Sequence, residues 1–355
     1  MADDHIRAGF YQAGSDMSLA DVDGSLFTHL IFVPSAPLRR DVKLKLHFHQ
    51  DDLRHVATLA HAIPSSCKAL LALPFDHNQY RSPVTLASSM ALARDHHFHG
   101  LHFTLGTIYA VFLRFCHDWR QAASQESRLT CRPLLLLTAS FGSWDPPLTV
   151  PRGVPLPLDW ICLHGYHGGR VATEARPPQR AYHFDYSPFT ISHSPLHDSD
   201  GARSIHFRLR TCLDAGVDPS MLVLGLAMHG VCFRLKDPSI HGMHAPVVQT
   251  LGGKRSSAML KHSGTHVAYK DVTRFVQEHK AKRCHDGTTQ SAYCYHGATW
   301  ICYHDTFTIS QRVVYLKSMR LKGYALDSLH QDTSQWHLSN AGKHSFSLAL
   351  LVPHI

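Results

Sequence analysis

Asparagine is nearly missing from this chain. Only Asn78 and Asn340 occur in 355 residues, and neither begins an Asn-x-Ser/Thr triplet, so the sequence contains no N-glycosylation acceptor. Charged residues make up 17%, too few for long disordered arms. No apolar run reaches the roughly 18–20 residues of a membrane span. The opening "MADDHIRAG" lacks the basic-then-apolar order of a signal peptide, which leaves either a cytosolic protein or one whose leader is not in this chain. There is no GxSxG, which excludes the nucleophile elbow of the α/β hydrolases, and "LGGKRSS" (251–257) lacks the strand and spacing of a phosphate loop. No CxxC pair occurs among the nine cysteines. Because nine is odd, at least one thiol stays unpaired within the chain, while Cys284, Cys294 and Cys302 are near enough in sequence to include one disulfide. The net charge is +8, but the basic residues are scattered in short pieces such as "LRR" (38–40) and "KAKR" (280–283). Without a basic stripe interleaved with aromatics, nucleic acid is not an expected partner. Nothing in the sequence calls for a cofactor.

Histidine is abundant. Protonating all 31 would add that many charges to the net +8, so the charge climbs steeply as pH falls from about 7 to 5. Substitution bias explains this richness and the dearth of asparagine together. Two clusters bear on metal binding: "LHFH" (46–49) and "DHHFHGLH" (95–102). They offer pairs such as His47 with His49 and His97 with His99, not the three or four convergent ligands that zinc requires, so no metal site is assigned.

Eight apolar runs read as strands covered on both faces: "IRAGFY" (6–11), "THLIFVP" (28–34), "ALLALP" (69–74), "GLHFTL" (100–105), "PLLLLTAS" (133–140), "LDWICLHGY" (158–166), "MLVLGLAM" (221–228) and "GYALDSL" (323–329). Amphipathic stretches lie between them at 50–63, 83–98, 108–126, 202–216 and 309–322, with another at 340–352. Strands alternating with helices eight times predict an α/β chain folded as a (β/α)8 TIM barrel. The gap between the seventh and eighth strands is too long for one helix. It predicts a small α+β insertion domain at 230–304, with the barrel formed by 1–229 and 305–355.

Several of these segments carry a family resemblance. "SLFTHLIF" (25–32) is close to "SLFTHLF", "FHGLHFTLG" (98–106) lies on "FHGLDLDWE", and "LDWICLHGYH" (158–167) lies on "LDWVNLMAYD". "VLGLAMHGVCFRL" (223–235) lies on "VLGFPYYGYAWRL", and "AYCYHGATWICYHD" (292–305) on "DYCYAGTNWIGYDD". The chain thus resembles the plant class V chitinases of glycoside hydrolase family 18, in order and over most of its length. The resemblance implies a β/α barrel with an α+β insertion after the seventh strand. It also implies a substrate-assisted reaction driven by carboxylates at alternate positions of the fourth strand. Such positions share one face and rise about 6.6 Å per step.

Here those three positions hold His102, Thr104 and Gly106. A glycine in the general acid's place has nothing to donate, and losing that acid alone costs about 10²–10⁴ in rate. His102 lies four residues back, roughly 13 Å along a strand, out of reach of a sugar at the acid's level. The aspartate of "MAYD" is His167, the double glycine after the third strand is Pro74-Phe75, "PYYG" is "AMHG", and the tryptophan that stacks under the sugar aligns with Asp327. By the resemblance, Phe10, Tyr166, Arg234 and Trp300 remain as cleft residues, with packing as the alternative role. The expectation is therefore an inactive chitinase-like protein. It would act as a binding or recognition protein in plant defence, with an unknown protein partner or a chitooligosaccharide-like glycan as ligand. Two alternatives stand beside it: a lectin for N-acetylglucosamine oligomers, and a repurposed enzyme using histidines at the barrel mouth. The family is usually secreted or vacuolar.

Overall fold

The computed structural model describes residues 5–41, 46–74, 83–105, 110–141, 156–166, 189–197, 204–248 and 265–348. In chain order the first half comprises β1 (Ile6–Gln12), β2 (His29–Val33), the short pair β3 (Arg39–Arg40) and β4 (Leu46–His47), α1 (Gln50–Ala62), β5 (Lys68–Pro74), α2 (Pro83–Asp95), β6 (Gly100–Leu105), α3 (Ala110–Thr130), β7 (Leu136–Phe141) and β8 (Trp160–His164). Then come α4 (Ile205–Asp214), β9 (Leu222–Ala227), β10 (His229–Arg234), β11 (Thr265–Ala268), α5 (Tyr269–His279), β12 (Lys282–Asp286), β13 (Ser291–His296), β14 (Thr299–Tyr303), α6 (Thr306–Ser318), β15 (Gly323–Asp327) and α7 (His337–Ser347).

Strands β1, β2, β5, β6, β7, β8, β9 and β15 close a barrel, as the eight apolar runs predict. The runs are near-continuous because each strand buries both faces. On β5, Leu70 and Ala72 join the barrel interior, while Leu71 and Leu73 are equally buried on the other side. On β6, Phe103 turns outward onto Phe115 and Trp119 of α3, with ring centroids 5.2 and 4.8 Å away. That contact holds the apolar face of α3 against the wall. Helices α2 and α3 are also tied by Arg94, whose Nε and Nη2 donate to the two Glu126 carboxylate oxygens at 3.0 and 2.6 Å. Two strands start on glycine for want of room. A Cβ on Gly100 would lie 2.3 Å from the Leu136 carbonyl oxygen, and one on Gly323 would lie 1.9 Å from that of Ile6.

Between β9 and β15 the chain builds a five-stranded antiparallel sheet in the order β11-β10-β14-β13-β12. Its core gathers Val231, Phe233, Leu235, Val247, Trp300 and Cys302. Arg312 of α6 is fully buried and bonded to carbonyls: Nη1 donates to Gln290 and Thr308, and Nη2 to Ser194 at 2.6 Å. The chain divides into two compact units. One comprises 1–164, 210–225 and 316–330 and contains the barrel; the other comprises 165–209, 226–315 and 331–355 and contains this sheet. All nine cysteines are free thiols, so the disulfide considered among Cys284, Cys294 and Cys302 is not formed. Cys294 and Cys302 are instead buried in the sheet's packing.

Candidate functional site

Strand geometry sends alternate residues of each barrel strand inward. The inward set on β8 is Trp160, Cys162 and His164; on β6 it is His102 and Thr104. These meet Phe10 of β1 to form a column of rings. Phe10 approaches His102 edge-on at 5.4 Å and His164 at 5.9 Å, Trp160 lies 5.6 Å from His102, and His29 lies 5.9 Å from Trp160. The barrel axis at the level of His102 is therefore filled with aromatic side chains.

His102 is fully buried. Its Nδ1 lies 2.8 Å from the Thr138 hydroxyl, which itself donates to the Leu101 carbonyl at 3.3 Å. That leaves Thr138 as the acceptor and assigns the imidazole proton to Nδ1. Nε2 is buried without a hydrogen-bond partner. Burial first, and His164 second, push the His102 pKa down to about 3. The imidazole is thus neutral at any pH near 7 and has no proton to deliver from the Nε2 side.

Around it, Thr104 is half-buried and sits between Pro74 and Ser140 in register. Asp327 ends β15 opposite Phe10 in register, and the Ser328 hydroxyl donates to its Oδ1. Burial, with Asp327 adding to it, lifts the Cys162 thiol well above its ordinary range, which makes it an inert packing group. The positions Gly106 and His167 lie outside the described residues.

In the second unit, two positions singled out by the sequence come together. Tyr166 is buried and meets the His229 ring edge-on at 5.6 Å; His229 is the histidine of "AMHG". His229 stacks on His266 at 4.4 Å with the planes 13° apart. His193 lies 5.7 Å from His229 and 5.2 Å from His304. Burial first, then Arg312, His193 and His229, hold His304 well below the ordinary histidine range. Among the described residues no three or more His, Cys, Asp or Glu side chains converge as metal ligands.

The other two named positions differ in exposure. Trp300 is fully buried: its indole N–H donates to the His241 carbonyl at 3.0 Å and its ring stacks on Tyr293 at 5.1 Å. It is part of the sheet's core. Arg234 is exposed at the end of β10. The sequence reading did not single out His164 or Trp160. The signal was present, since Trp160, Cys162 and His164 stand at alternate positions of one strand.

Comparison with known proteins agrees with this geometry. A class V chitinase of Medicago truncatula is 25% identical over 96% of this chain and 89% of its own length. Among solved structures, a mutant of the class V chitinase of Nicotiana tobaccum in complex with NAG4 superposes with a TM-score of 0.80 at 26% identity, covering 97% of this chain and 99% of that one. A chitinase-like agglutinin from Robinia pseudoacacia superposes with a TM-score of 0.78 at 26% identity, covering 96% and 99%. The family model for glycosyl hydrolases family 18 matches residues 76–332, and the chain belongs to that family.

Proposed function

We propose that this chain is a non-hydrolytic member of its family that acts by binding, as a recognition protein in a plant defence setting. One observation carries the reading. Where strand β6 would present carboxylates, it presents a neutral, sealed imidazole, a threonine and, by sequence, a glycine. No proton donor for a glycosidic oxygen is left on that strand. The same observation counts against a repurposed enzyme that uses His102 as an acid. The ligand on this reading is an unidentified protein partner. A chitooligosaccharide-like glycan is the second reading, favoured by the similarity to an agglutinin and to a chitinase solved with NAG4. A secreted or vacuolar location belongs to the proposal and is checked by localising a tagged chain.

The test is incubation of the purified protein with N-acetylglucosamine tetramer, with products followed by mass spectrometry and binding by calorimetry. The expected outcome is no release of shorter oligomers above the buffer control. Saturable micromolar binding without cleavage would select the lectin reading over the protein-partner reading. Cleavage that disappears on substituting Gly106 or its neighbours would overturn the proposal.

A further inference from the structure

At the opposite end of the barrel, where the strands begin, lies a cavity of about 520 Å³ between the C-terminal ends of α1 and α2 and the starts of β5 and β6. That volume falls in the range of small-molecule sites. Its accessible apolar lining is Ile63 and Pro64, since Leu59 and Phe98 behind it are buried; the polar lining is Ser65, Arg94, His97, His99 and Arg132, with no carboxylate among the lining side chains. This end of a β/α barrel is the one remote from the reaction face, and the family relationship assigns it nothing.

Three observations show what the lining offers an anion. Glu126 engages Nε and Nη2 of Arg94, and the Pro133 carbonyl takes Nη2 as well, so the Nη1 hydrogens have no protein acceptor among the described residues. Arg132 is exposed, and its guanidinium has no carboxylate partner among the described residues. The Nδ1 of His99 accepts the Ala69 N–H at 3.1 Å, which puts its proton on Nε2 as a donor.

His97 supplies a further lining group, and it is one of seven non-glycine residues with positive φ among the described residues. It caps α2 in the left-handed region, with φ of 62°, its N–H on the Arg94 carbonyl and the Phe98 N–H on that of Ala93. Glycine is the residue that adopts this cap without strain. A histidine there carries a backbone cost and places an imidazole on the cavity's lining.

We propose that this cavity binds a small organic anion: an apolar or aromatic body seated on Ile63 and Pro64, and one carboxylate, sulfate or phosphate group held by Arg132, the Nη1 edge of Arg94, and His97. The proposal does not depend on what the barrel mouth does.

The test uses the full chain and calorimetric titration with 2-naphthoate, with its neutral analogue 2-naphthylmethanol, and with inorganic phosphate. Saturable naphthoate binding is expected, about tenfold tighter than the alcohol and tighter than phosphate alone, as one charge-assisted contact implies. Arg132→Glu, a change at an exposed side chain, lowers naphthoate affinity about tenfold or more. His97→Gly lowers affinity severalfold while raising Tm by about 2 °C, so loss of binding there is not loss of fold. The proposal is overturned if naphthoate does not saturate, if the alcohol or phosphate binds as tightly, or if R132E leaves the affinity unchanged.

Discussion

Position 102 shows a side chain whose chemistry is set by what surrounds it. On a surface strand a histidine would titrate near 6.5. Inside the ring column of Phe10 and Trp160 it is fully buried and held to about 3, a packing group with one hydrogen bond to Thr138. Two changes test this. His102→Ala opens a cavity and removes the hydrogen bond to Thr138, whose hydroxyl keeps its bond to the Leu101 carbonyl, so urea unfolding is expected to show a loss of about 2–4 kcal/mol. His102→Asp restores a carboxylate at the motif position but buries it among rings. It is expected to cost at least as much stability and to produce no cleavage of N-acetylglucosamine tetramer. A stable, cleaving His102→Asp protein would contradict the account. The presence of His102 on an inward face was legible from the alternation of β6. Its enclosure was not, because Phe10 and Trp160 lie 92 positions before it and 58 after it in sequence.

Among the elements, the barrel strands were the most legible and the last helix the least. The apolar run 100–105 coincides with β6, and the run 323–329 contains β15, because a strand buried on both faces must be apolar throughout. The helix expected at 340–352 instead occupies His337–Ser347. The reason is a cap that does not adjoin the helix. Trp336 precedes it without a side-chain cap, and Asp332 supplies one from four residues upstream. Its carboxylate accepts the N–H groups of Thr333, Leu338 and Ser339 at 2.8, 3.2 and 3.0 Å, and the Ser339 hydroxyl at 2.8 Å. Asp332 is 2% exposed, so removing it leaves buried amides unsatisfied. Asp332→Ala is expected to cost about 2–3 kcal/mol in denaturant unfolding, and Asp332→Asn less, since one acceptor oxygen survives. A D332A protein within about 0.5 kcal/mol of the parent would refute this capping role.

For the whole molecule, histidine burial dictates how stability depends on acidity. His29 is held to about 4, His102 to about 3, and His304 well below the ordinary value, each by burial first. The unfolded chain takes up these protons near pH 6.5, while the folded chain refuses them until far lower. Their stabilisation is thus complete above about pH 6.5 and is lost as pH falls toward the folded values. Each buried histidine forfeits up to roughly 2 kcal/mol by pH 5. Protonation of exposed members of the 31 adds self-repulsion in the same direction. A melting series is therefore expected to show Tm falling by several degrees between about pH 7.5 and 5. A flat or rising Tm over that interval would show that these imidazoles do not stay neutral in the fold.

Composition and periodicity alone determined that eight strands would form a barrel and that strand β6 would carry no carboxylate. Both follow from local facts: which residues are apolar, and which side chain stands at each alternate position. Three further properties were decided only by tertiary structure: the neutrality of His102, the capping of α7 from a distance, and the cavity at the barrel floor that Arg94, His97 and Arg132 line together. Each depends on groups from separate segments being enclosed together. Desolvation and hydrogen-bond satisfaction are set by that enclosure, and no reading along one segment contains it.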